Sequence, residues 1–141
     1  MAIDWNGLDR QTVVTVPARP ANGMWTLVRS YLSSPQIIRI EAEGNWTPAS
    51  GLPSCGPDGL PHWAFGRDAL LFKKAPLGAL VGKIGGSSAG VDDREVFLVG
   101  SATVLTIDKS AGPLFLTIND APGFFEDNIG ALTVTIALLA I

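Results

Sequence analysis

The sequence is poor in the side chains that most catalytic and transition-metal chemistry uses. It holds one cysteine, Cys55, and one histidine, His62, among 141 residues. A lone cysteine excludes an intrachain disulfide, and one thiol with one imidazole supplies no zinc-type ligand set. A thiol nucleophile would have to pair Cys55, in the turn-rich "PSCGPDG", with His62 seven residues on. No orienting partner or oxyanion donor can be assigned to such a pair. Charge is sparse as well: 16% of residues are charged and the net charge is −3. The nearest approach to a basic cluster is Lys73-Lys74, too little to neutralise a phosphate backbone, so nucleic acid is excluded as an expected partner. No apolar run reaches the ~18 residues of a membrane-spanning helix, so no membrane insertion is expected. The N-terminal "MAIDWNGLDR" lacks both the basic stretch and the apolar core of a secretory signal. The expected location is cytoplasmic, or outside the cell by a route without a recognisable signal peptide.

Helical periodicity is also nearly absent; strand alternation takes its place. "QIIRIEAE" sets Ile38, Ile40 and Ala42 on one face and Arg39, Glu41 and Glu43 on the other. "PLFLTIN" sets Leu114, Leu116 and Ile118 against Phe115, Thr117 and Asn119, and "ALTVTIAL" sets Leu132, Val134, Ile136 and Leu138 against Thr133, Thr135 and Ala137. Each reads as a strand with one buried face. "TVVTV", "MWTLVRSYL", "GALVGKIG", "EVFLVG" and "ATVLTI" complete a set of about eight short strands separated by Gly, Pro, Asn and Asp. The pattern predicts an all-β chain, an antiparallel β-sandwich of jelly-roll type, as a single domain over residues 1–141. "HWAFGRDALLFKK" has room for a short helix, which Gly66 weakens. The apolar ending "ALLAI" is either a buried final strand or, if Leu139 and Ile141 point outward, part of a subunit interface.

One connection stands apart. "NDAPGFFEDNIG" spends about a dozen residues joining two strands that two to five would join. It gathers Asn119, Asp120, Glu126, Asp127 and Asn128 with no Lys or Arg. Pro122-Gly123 supplies a turn that folds the segment back. If Asp120, Asp127 and Asn128 converge, the two carboxylates repel unless a proton or cation lies between them. Several oxygens without sulfur or imidazole form a set that suits calcium, which takes six to eight ligands at about 2.3–2.6 Å. The spacing is not that of an EF-hand, and on spacing alone the plainer reading is a solvated connector. Hydrolysis by paired carboxylates needs one of them in an apolar setting, which a short surface loop does not indicate.

"NDAPGFFEDNIGALTVTI" resembles the calcium-binding loop and last strand of the bacterial galactophilic lectins of PA-I type. "GALVGKIG" at Gly78–Gly85 resembles a strand of that family, and "GPDG" at Gly56–Gly59 with His62 after it resembles the segment ahead of a sugar-contacting histidine. The likeness runs in order from Ile37 to Ile136; residues 1–35 match poorly. It implies a non-enzymatic, calcium-dependent lectin for galactose or galactose-like sugars, whose vicinal hydroxyls complete the calcium shell. By position it implies calcium ligands at Asp120, Asp127 and Asn128, with main-chain carbonyls from Phe124 and from "TPASG", taken as Ala49. It implies sugar contacts from His62, Asp120, Ala121, Phe124, Asp127 and Phe65. It also implies galactose-containing glycans as partners and a homo-oligomer, a dimer or tetramer, since weak single sites gain avidity in numbers. Four departures bear on the sugar: the family's pattern has Thr where this chain has Phe124, Asn where it has Asp127, a Tyr with no aromatic counterpart in "TPASG", and a Gln that falls near Phe65. The alternative is a structural or interaction sandwich in which calcium serves stability only.

Overall fold

The computed structural model describes residues 11–32, 35–63, 67–90, 96–107 and 112–140. Eight strands lie among them: β1 (Gln11–Pro17), β2 (Thr26–Leu32), β3 (Gln36–Thr47), β4 (Leu80–Ile84), β5 (Val96–Leu98), β6 (Ala102–Ile107), β7 (Gly112–Ile118) and β8 (Ile129–Ala140). They form two four-stranded antiparallel sheets, ordered β1-β8-β3-β6 and β2-β7-β4-β5. Most connections cross from one sheet to the other, as the jelly-roll expectation requires. All eight strands fall where the alternation predicts them. The ambiguous segment contributes one 3-10 turn, Arg67–Ala69. No helix among the described residues is long and apolar enough to cross a membrane.

The two twelve-residue strands carry the first sheet. Gln36 pairs with Ala140 and the register runs unbroken to Thr47 opposite Ile129. Ile38 and Ile40 of β3 and Leu132, Val134, Ile136 and Leu138 of β8 are buried, as their period-2 pattern demands. Leu139 is half-buried on the opposite face, and Ile141 lies outside the described residues.

Strand β7 departs from the one-faced pattern. Leu114, Leu116 and Ile118 are buried as expected, but so are Phe115, Thr117 and Asn119, which alternation assigns to the outer face. That face is roofed. Lys83 of β4 pairs with Phe115, lies 5.3 Å from its ring centroid and 4.7 Å from that of Trp25. Its ammonium donates to the Ser87 carbonyl at 2.7 Å, while the Trp25 indole donates to the Gly90 carbonyl at 2.9 Å. The turn after β4 is thereby pulled down over the sheet. Burial lowers the Lys83 pKa, and contact with two aromatic faces compensates the ammonium for part of its lost water.

Two residues join the sheets to the connections around the loop after β7. Trp46 and Cys55 exchange backbone hydrogen bonds (2.9 and 2.8 Å), and the Trp46 indole and Cys55 thiol both donate to the Gly78 carbonyl, at 2.7 and 3.8 Å. Gly78 has φ +86°, and a Cβ there would lie 2.7 Å from the Cys55 sulfur, so only glycine fits. Burial pushes the Cys55 thiol up to about 11, and His62 is exposed on a separate turn; the thiol–imidazole pair is not formed.

Asn119 is the second. Its backbone exchanges bonds with Gly78 and Ala79, donating to the Ala79 carbonyl at 2.7 Å and accepting from the Gly78 N–H at 2.9 Å. Its amide oxygen accepts from the Phe72 N–H at 2.9 Å, and its nitrogen faces the carbonyls of Phe72, Ala75 and Pro76 at 2.8–3.1 Å. A fully buried side chain thus satisfies a whole turn of backbone that lies beside Asp120. Replacing it leaves those groups buried and unpaired. Asn119→Ala is expected to lower unfolding free energy by roughly 2–4 kcal/mol in a urea titration, well above the typical cost of losing a single neutral hydrogen bond.

Candidate metal and sugar site

The loop between β7 and β8 is two turns in series. Ala121–Phe124 is closed by the Phe124 N–H donating to the Ala121 carbonyl at 3.0 Å, with Pro122 second and Gly123 (φ +86°) third, the arrangement of a type II turn. Phe125–Asn128 follows, with the Asn128 N–H donating to the Phe125 carbonyl at 3.1 Å. The segment doubles back, so that Asp120 before the turns and Asp127-Asn128 after them lie close enough to interact. Phe125 packs inward among the core residues and Phe124 points outward, 68% exposed.

Each expected ligand residue has a distinct setting. Asp120 is buried: its Oδ1 accepts from the Ala121 N–H at 2.7 Å, and its main-chain carbonyl accepts from Leu71 at 2.9 Å. Its Oδ2 is buried with no hydrogen-bond partner. Asn128 is buried too; its Nδ2 donates to the Ala18 carbonyl at 3.1 Å, and its Oδ1 has no partner. Asp127 is exposed, and its Oδ2 accepts from the Ser50 N–H at 3.0 Å. That bond joins the "TPASG" turn to the loop. The Ala49 carbonyl in this turn accepts from the Leu52 N–H at 3.1 Å, which leaves one lone pair for a further partner.

Two of the five unpartnered buried side-chain atoms among the described residues are therefore acceptor oxygens in this loop. An unpaired buried oxygen costs about 1–3 kcal/mol, and a water, a proton or a cation would each satisfy these two. Burial pushes the Asp120 carboxyl up to about 6. The Ala121 N–H and the Asn128 amide work against that rise, and the Asp127 charge adds to it. No group of three His, Cys, Asp or Glu that could hold a metal ion lies among the described residues. The side chains nearest one another in the loop carry carboxylate and amide oxygens, a donor type that suits hard cations better than zinc.

The expected sugar contacts are less closely gathered. His62 is exposed on the turn Leu60–Trp63, closed at 3.0 Å, and makes no hydrogen bond to Asp120, Asp127 or Asn128 among the described residues. Leu60 is tied to the Leu77 carbonyl at 2.8 Å, which holds the His62 turn against the segment ahead of β4. Ala121 is half-buried at the first turn. Phe65 lies outside the described residues.

Three contributors escape sequence reasoning. Ser50 holds Asp127, Ala18 holds Asn128, and the Arg19 guanidinium donates to the Glu126 carbonyl at 3.3 Å. Ala18 and Arg19 belong to the poorly matched N-terminal part. "PARPANG" has no periodicity, and only its Pro and Gly content marks it as a connection.

No described protein family matches the sequence, and no curated protein does. Among solved structures, the chain is similar to the EclA N-terminal domain, described as a PllA-like lectin. The match has a TM-score of 0.66 and 20% identity, and covers 90% of this chain and 95% of that one. The fold is thus the lectin sandwich that the three sequence motifs suggest.

The Asp120 setting has a measurable consequence. Its carboxyl is raised from 3.8 to about 6, so the folded chain holds a proton there that the unfolded chain has released. The associated stability is fully present below about pH 4 and lost as pH rises through about 6. Two pH units correspond to about 3 kcal/mol. Urea titrations in chelator, at pH 4.5 and 7.5, are expected to differ by about 2 kcal/mol of this loss in the parent chain and not in Asp120→Asn.

Proposed function

We propose that this protein is a calcium-dependent lectin that binds galactose or a galactose-like sugar. The observation that carries the reading is the pair of buried, unpartnered oxygens, Asp120 Oδ2 and Asn128 Oδ1, in a lectin fold. Asp120, Asp127 and Asn128 are the side chains that hold the ion, with main-chain oxygens of Phe124 and Ala49 beside them. Calcium, when bound, offers coordination positions that vicinal sugar hydroxyls fill in place of water.

The chain's own residues do the rest. Asp120 and Asp127 supply two negative charges that match a divalent cation, and each carboxylate can accept a hydrogen bond from a sugar hydroxyl. Their surroundings hold them still before any ligand arrives: Asp120 by Ala121, Asp127 by Ser50, Asn128 by Ala18. A rigid polar site of this kind discriminates between epimers, because the wrong hydroxyl orientation leaves a fixed group unpaired. His62 is exposed on a neighbouring segment and free to reach a bound sugar. The Phe124 ring stands at the rim, 68% exposed, where an aromatic face can pack on the apolar face of a galactose ring.

The same ring supports the second reading. A benzyl group at the rim narrows access, and if it bars the sugar, calcium serves stability alone. Thermal melts separate the two. Saturating calcium is expected to raise the melting temperature by roughly 5–10 °C over chelator, and galactose to raise it further only with calcium present. A calcium shift without a galactose shift selects the stability-only reading, and no calcium shift overturns both. Phe124→Ala is expected to change galactose affinity severalfold without moving the calcium midpoint. Calcium affinity is expected to fall as pH drops below about 6, where a proton competes for Asp120.

A homo-oligomer belongs to the same proposal. Val13 and Val104 are 65% and 56% exposed on the outer face of the first sheet, where the half-buried Ile37 and Leu139 extend the apolar area. Sedimentation velocity is expected to show a dimer or tetramer, and Val104→Lys to shift it toward monomer.

A further inference from the structure

Resting on the sugar-binding reading, we infer that the groove between the β1–β2 connection and the second turn of the loop is a subsite for a second, neutral hexopyranose. Arg19 and Glu126 are the residues that read its hydroxyls.

The groove has a volume of about 420 Å³ and is lined by Arg19, Pro20, Gly23, Phe125 and Glu126. That is the size range of small-ligand clefts. Its position relative to the calcium cradle is set by short links. Ala18, directly before Arg19, accepts the Asn128 side-chain bond at 3.1 Å and donates its own N–H to Gly130 at 2.9 Å. Glu126 directly precedes Asp127. Both polar walls of the groove are thus chain neighbours of cradle residues, and the groove opens beside the cradle.

The chemistry of the walls suits a neutral sugar. Among the described residues the Arg19 guanidinium makes one hydrogen bond, from Nη1 to the Glu126 carbonyl, which orients the group and leaves its other donors without a partner there. The Glu126 side chain is exposed and forms no ion pair with Arg19 among the described residues. The guanidinium donors of Arg19 and the carboxylate acceptor of Glu126 line the same groove, a combination that matches adjacent hydroxyls, each of which both donates and accepts. Pro20 and Phe125 give the groove apolar wall for the ring's C–H face. An anionic sugar fits worse, because Glu126 repels it. Two hydrogen bonds to hydroxyls correspond to roughly a 5–150-fold gain in affinity.

The test compares methyl galactoside with a panel of digalactosides of differing linkage, by calorimetric titration at saturating calcium. At least one digalactoside is expected to bind several-fold more tightly than methyl galactoside. Arg19→Ala and Glu126→Gln are each expected to remove that gain, and Glu126→Gln to leave methyl galactoside affinity and the calcium midpoint within twofold of the parent. Glu126→Gln keeps the backbone carbonyl that Arg19 grips, so its loss of the gain reports on the side chain and not on loop placement. If no digalactoside outbinds methyl galactoside, or if both variants keep the gain, the subsite is overturned and the calcium lectin reading stands. If methyl galactoside itself fails to bind with calcium present, both fall together.

Discussion

The register of β3 on β8 is the constraint from which the rest follows. Twelve residues pair without a break, from Gln36 opposite Ala140 to Thr47 opposite Ile129. A slip of one residue would turn Ile38, Ile40, Val134 and Ile136 out to solvent, so burial on one face holds the register. The same register decides what lies beyond the ladder's end. "TPASG" continues from Thr47 and "FFEDN" leads into Ile129, so the two turns are delivered side by side. The Ser50 N–H meeting Asp127 is the local result of a hydrophobic pattern whose far end is some twelve residues away.

The same residues that make the loop a site make it costly. A buried carboxylate with one oxygen unpaired, next to a second carboxylate, is unfavourable in the ligand-free chain. The loop does not relax to relieve this, because its backbone is committed elsewhere. Asn119 fastens it to Gly78, Ala79 and the Phe72–Pro76 turn, and Asn128 fastens it to Ala18. Structural amides on either side thus hold the acceptor oxygens in a geometry those oxygens would not choose alone. This is preorganisation in physical terms: the ordering cost is met in folding, and a cation arriving later has less left to offset.

How much of this could be read in advance differed by element. All eight strands were legible because period-2 alternation is a local property of the chain. The two-sided burial of β7 was not, since Phe115, Thr117 and Asn119 are covered by segments distant in sequence, Lys83 and Trp25 among them. Asp120, Asp127 and Asn128 were legible as candidates from residue type and, more firmly, from resemblance to a known loop. What separates a cation site from a solvated turn is the burial of Asp120 Oδ2 and Asn128 Oδ1, and burial is a tertiary property. Spacing alone favoured the solvated turn for that reason. Asn119 read as one more polar loop residue; its role shows only when the carbonyls around it are placed.

The division of labour within the site follows from the same contrast. The cradle is delivered by the longest ladder and by buried amides, so its geometry is tied to the stability of the whole sandwich. The rim is delivered otherwise. Phe124 is an exposed side chain, His62 sits on an exposed turn, and Arg19 comes from a connection held to the loop by a few hydrogen bonds. Changes at these positions leave the core and the buried oxygens of Asp120 and Asn128 in place. On the calcium-lectin proposal, the departure at Phe124 and the poorly matched N-terminal segment would bear on which sugar fits, and much less on whether the loop holds a cation.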